Sequence, residues 1–88
     1  MRLDEILDTN KSFGFRVLDA SGVVIKYVFD LDKYDAEAMA QHYQIRYFRP
    51  GREDTLNYRL QIMYCRRPIK EFWMDEDGEI NTKLISRK

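Results

Sequence analysis

Cys65 and His42 are the single thiol and the single imidazole of this 88-residue chain. A cysteine nucleophile needs a base beside it and a loop of N–H groups to hold the developing oxyanion. No such loop accompanies the pair, so the sequence reads as a small buried thiol on a strand and a histidine near the end of a helix. One His and one Cys cannot complete a tetrahedral zinc site without several carboxylates. The acidic run Asp75-Glu76-Asp77-Gly78-Glu79 has the look of a calcium loop. Placing Gly78 at the invariant glycine of an EF-hand puts Trp73 at the first ligand position and Leu84 at the last. Neither side chain can coordinate calcium, and the run reads as a hairpin turn. Gly14, Gly22, Gly51 and Gly78 are isolated and make no phosphate-cradling loop. Paired carboxylates for acid–base work need a cleft that raises one pKa, and the acids here fall in expected turns. The expectation is no catalytic machinery, no cofactor and no structural metal.

Residue types suited to binding are concentrated instead. Arg46, Tyr47, Arg49 and Arg52 are followed by Tyr58 and Arg59, then by Arg66 and Arg67. Tyr and Arg join large contact area to hydrogen-bonding tips and dominate interface hot spots. The same pairing stacks on bases and contacts phosphates. On alternating strands the plainer reading sends Tyr toward the core and Arg toward water. These eight residues are the candidate partner surface.

Charge is balanced overall, 15 against 15, which disfavours a dedicated duplex-DNA binder. It is not balanced along the chain. Residues 41–70 carry seven Lys or Arg against Glu53 and Asp54, while Glu71, Asp75, Glu76, Asp77 and Glu79 crowd the next ten positions. The simplest account is two solvated sets that pair across a sheet.

Lys11-Ser12-Phe13-Gly14-Phe15 resembles the Lys-Gly-Phe-Gly-Phe strand core of cold-shock domains and the comparable strand of RNA-recognition motifs. In those families the aromatics stack on bases and the glycine keeps one face open. The resemblance covers five residues and implies single-stranded nucleic acid over Phe13 and Phe15. The chain departs from the pattern: Ser12 replaces the second glycine and Arg16 the following aliphatic residue. Only ten residues precede the motif, and Tyr27-Val28-Phe29 stands where cold-shock domains have Phe-Val-His.

Around these residues the pattern of polarity sets the elements. Leu3, Ile6 and Leu7 suggest a short helix or an extended arm. Phe13, Phe15 and Val17 alternate with Gly14, Arg16 and Leu18. Asp19-Ala20-Ser21-Gly22 makes a turn, and residues 23–30 return as a β-branched and aromatic strand. Asp32 or Asp35 can cap a helix over about 33–43, with Ala36, Met39, Ala40 and Tyr43 as its apolar stripe. Ile45–Phe48 then reads as a third strand and 49–54 as a loop. Residues 56–65 fit a helix or a strand face equally, and Tyr/Ile content favours strand. Residues 69–74 and 79–85 form a last hairpin, with Ile69, Glu71 and Trp73 on one face and Trp73 as a core or half-core anchor. The predicted fold is α+β: a small antiparallel sheet of four to six strands with one principal helix packed across it, in a single domain over 1–88.

Leu, Ile, Val and Phe make up about a quarter of the chain, enough to fold. Roughly 60–65% of the unfolded surface can be buried at this length, which leaves no room for a deep active-site cavity. The acidic start does not suit a signal peptide, and no run approaches a membrane span. With a lone cysteine, the expected location is cytoplasmic. The expected function is a small non-catalytic protein-binding module, a regulator of the accessory or inhibitor type that phages encode, acting by occupying a partner protein. The alternative is a single-stranded nucleic-acid-binding domain using the basic aromatic segment 44–67.

Overall fold

The computed structural model describes residues 11–48 and 57–85. Their elements run β1 (Phe13–Leu18), β2 (Val24–Leu31), α1 (Lys33–Tyr47), β3 (Arg59–Tyr64), β4 (Arg67–Met74) and β5 (Ile80–Leu84). The five strands form one sheet in the order β2-β1-β3-β4-β5, every neighbouring pair antiparallel. Among the described residues one helix lies across it, against β3, β1 and β2. This is the expected small α+β fold.

The core sits between helix and sheet. Phe15 and Val17 from β1, Leu60 and Ile62 from β3, and Phe72 and Met74 from β4 pack with Ala36 and Ala40 of α1. The two alanines let the helix backbone approach the sheet closely, and Phe15 is fully buried there (0% exposed). Met39 and Tyr43 pack beside them, so the predicted stripe does face the sheet. The helix starts where Asp32, in extended conformation, accepts a bond from the Asp35 backbone N–H at 2.8 Å. That satisfies one of the orphan donors of the first turn.

The helix runs past its expected end. Residues 45–47, expected as the start of a third strand, are its last turn, and Phe48 caps it with a backbone N–H donated to Gln44 O at 2.8 Å. A short Ile/Tyr/Phe run fits either period. Here a packed column decides it: Phe15–Tyr43, Tyr43–Tyr47 and Tyr47–Tyr58 stack at 5.2, 5.8 and 5.4 Å. Helical spacing puts Tyr43 and Tyr47 on one side to build that column. Ile45 is left 75% exposed. The choice of strand for 56–65 holds for β3. The suggested helix or arm at residues 3–10 and the loop at 49–54 lie outside the described residues.

One bulge changes a face. Ile62 pairs with Lys70 but Met63 with Pro68, so Ile69 is the extra residue. Ile69 packs against the core cluster, while Glu71 and Trp73 point away from the helix. The expected grouping of Ile69 with Glu71 and Trp73 is therefore broken. Trp73 is half-buried on the helix-free face, beside Arg59 and Asn81 in register.

Candidate functional site

Sheet register sorts the functional side chains into two faces and two ends. On the face away from α1, Tyr27, Arg16, Gln61, Glu71 and Lys83 stand directly opposite one another across all five strands. The middle of this row is a hydrogen-bonded chain. Arg16 Nε donates to Gln61 Oε1 at 2.6 Å, Gln61 Nε2 donates to Glu71 Oε1 at 2.7 Å, and Arg59 Nη1 reaches Glu71 Oε2 at 3.0 Å. Gln61 and Glu71 are each only 6% exposed, so their polar atoms need these partners. The amide bridges donor to acceptor, oxygen toward the guanidinium and nitrogen toward the carboxylate.

At the Leu18–Arg59–Trp73 end lie two turns of one design. Asp19 N donates to Val23 O and Gly22 N to Asp19 O, at 2.9 and 3.0 Å. Asp75 N donates to Glu79 O and Gly78 N to Asp75 O at the same two distances. In each, the Asp carboxylate accepts from the backbone N–H two and four residues on. Gly22 and Gly78 take φ of 87° and 83°, which a side chain would resist. The Ser21 hydroxyl, then the Val23 N–H, hold the Asp19 carboxyl below its ordinary value. The Asn81 amide, then the Glu79 N–H, do the same for Asp75. The acidic run is thus a hairpin turn whose first carboxylate organises the backbone.

The opposite end, where Phe13 pairs with Leu31 and Tyr64, carries a groove of about 790 Å³. Gly14 belongs to its lining, and a Cβ there would meet the Val28 carbonyl oxygen of the neighbouring strand at 2.9 Å. Tyr27 and Phe29 flank it as a tilted pair 5.1 Å apart, and Phe29 is 65% exposed. Met63 lies on the same face, 2% exposed yet outside the core cluster. Lys11, Arg16 and Arg66 bring three cations to the groove against the carboxylate of Asp30. Lys11 sits 3.9 Å from Asp32, largely in solvent.

Backbone strain is concentrated here. Asp30, Cys65 and Arg66 have φ of 62°, 51° and 67°, and these are the non-glycine residues of positive φ among those described. All three line the groove. Cys65 and Arg66 are the two central residues of the β3–β4 hairpin, where a turn with both φ positive ordinarily takes Asn-Gly. Asp30 marks the bulge where β1 and β2 lose register between Phe13 and Phe15.

The eight candidate residues are divided by this geometry. Arg46 is exposed in the last turn of α1, and Tyr47 and Tyr58 stack on each other beside it. Arg59 is committed to Glu71. Arg66 and Arg67 are exposed at the other end of β3, roughly 20 Å away at 3.4 Å per residue. Arg49 and Arg52 lie outside the described residues. Of the expected pairing of basic and acidic sets across the sheet, the described residues show Arg59–Glu71 between strands, and Asp75–Glu79 sits at the far end from Arg66.

Cys65 is exposed in a hairpin turn, where a buried strand thiol was expected. Phe15, placed over a base by the cold-shock resemblance, is buried beneath Tyr43, and Phe13 packs on Tyr64 at 4.7 Å. The groove residues Gly14, Tyr27 and Phe29 were not singled out from sequence as one site. The signal present was the β-branched and aromatic strand beside a lone glycine, but pairing them required the register. Among the described residues, no three His, Cys, Asp or Glu side chains gather where they could hold a metal ion, and no helix is long and apolar enough to cross a membrane. No known protein family matches the chain, and neither the curated proteins nor the solved structures contain a significant match to it.

Proposed function

We propose that this chain is a small, non-catalytic, cytoplasmic protein-binding module that acts by occupying a partner, in the manner of accessory or inhibitor-type regulators. Its docking surface is the groove end of the helix-free face. The observation that carries this reading is the gathering of three strained, side-chain-bearing residues around one groove. Such conformations cost of order 1–3 kcal/mol each and persist where the surroundings fix them, most often at ligand sites. Val24, Ile25 and Phe29 of the flanking strand β2 add exposed apolar surface.

The experiment is capture from extracts of the source cell with wild type and Phe29→Asp as baits. A stoichiometric protein partner, lost with Phe29→Asp at unchanged melting temperature, is the expected result. A second reading, single-stranded nucleic acid in the same groove, is favoured by one observation: the acidic β4–β5 turn lies at the opposite end of the sheet and would not repel a polyanion there. Submicromolar binding of labelled single-stranded RNA or DNA near physiological salt, lost with Arg66→Asn, would put that reading first.

A further inference from the structure

We infer that the partner enters the groove as an extended acidic segment bearing apolar side chains, laid over the helix-free face between β2 and the β3–β4 turn. This deepens the protein-binding reading and rests on it. Two features define the occupant.

The first is charge. Lys11, Arg16 and Arg66 come from the approach to β1, from β1 itself and from the β3–β4 turn, and they line one groove with the carboxylate of Asp30; Lys11 also lies 3.9 Å from Asp32, and Arg16 keeps its Nε on Gln61. Carboxylates spaced along an extended chain match cations spread over three segments. Nucleic-acid affinity scales with the number of phosphates neutralised, and three cations offset by Asp30 supply little of it.

The second is shape. Tyr27, Phe29 and Met63 give the groove an apolar wall, with Phe29 65% exposed, which suits one apolar or aromatic residue of the incoming segment. The bulge at Asp30 and the turn at Cys65-Arg66 hold the two ends of this space in conformations that side chains resist.

The test uses fluorescence anisotropy with the full chain and three labelled ten-residue probes. One is a peptide alternating Glu with Val and Phe, one its Lys-for-Glu counterpart, and one decauridine. The acidic peptide should bind with Kd tighter than ~100 μM, about 5.5 kcal/mol, and the lysine peptide should not. Arg66→Asn should weaken binding about tenfold; Asn tolerates positive φ, so lost binding cannot be ascribed to a disrupted turn. Glu76→Lys, at the far end, should leave affinity within about twofold, as remote solvent-screened charges do. No binding of the acidic peptide, equal binding of both peptides, or indifference to Arg66→Asn would overturn the inference. In those cases Phe29-dependent capture of a protein would still leave the broader reading standing. Decauridine binding tighter than the acidic peptide would overturn both.

Discussion

The two ends of this sheet solve the same geometric problem in opposite ways. At the Asp-turn end, positive φ falls on Gly22 and Gly78, and each preceding aspartate ties the turn together with its carboxylate. At the groove end, positive φ falls on Asp30, Cys65 and Arg66, residues with side chains to place. A left-handed conformation costs an ordinary residue roughly 1–2 kcal/mol. One end is built for stability, and the other accepts strain where it surrounds a cavity. The proposed docking surface rests on this difference, because a fold of this size has little stability to spare.

The largest expected effect is at the groove end. Gly14→Ala places a Cβ against the Val28 carbonyl oxygen, and backbone cannot yield as a flexible side chain does. A loss of about 1–3 kcal/mol, the usual cost of overpacking, should appear in urea unfolding. An unchanged midpoint would show that β1 and β2 are not held as closely as described.

Next are the turn glycines. Gly22→Ala, at φ 87° in open space, should cost about 1–2 kcal/mol through backbone strain alone. The mirror experiment is Cys65→Asn with Arg66→Gly, which gives the β3–β4 hairpin the residues its geometry prefers. It should raise stability by roughly 1 kcal/mol while losing affinity for the acidic peptide. A gain in stability without a loss in binding would show that Arg66 does not hold the acidic peptide.

The smallest effect is acid sensitivity. Hydrogen bonds hold the Asp19 and Asp75 carboxyls below their ordinary 3.8 in the folded state. A depressed folded pKa contributes stability that is present above the unfolded value and lost as pH falls through the folded one. Wild type should therefore lose more stability below about pH 4 than the Asp19→Asn/Asp75→Asn protein does. Parallel curves for the two in an acid titration followed by circular dichroism would contradict this.

Much of the fold was legible. The β1–β2 hairpin, the helix with its Ala36/Met39/Ala40/Tyr43 stripe, and the Asp75–Gly78 turn follow from period, capping and turn chemistry. The end of α1 was not, because Ile45, Tyr47 and Phe48 fit a strand locally and the aromatic column that decides them depends on Phe15 and Tyr58. The face of Ile69 was hidden by a bulge that belongs to the pairing with β3. The site was the least legible part. Arg66 was visible as half of a basic pair, but its neighbours Lys11, Gly14, Tyr27 and Phe29 are distant in sequence and meet only through strand register.

The most direct test of the contrast between the ends is an amide NMR titration of the full chain with the acidic peptide. Shifts confined to Gly14, Tyr27–Asp30, Met63 and Cys65–Arg66, with the Asp19–Val23 and Asp75–Glu79 turns unmoved, are the predicted result. Shifts centred on those two turns, or spread evenly over the sheet, would contradict the account.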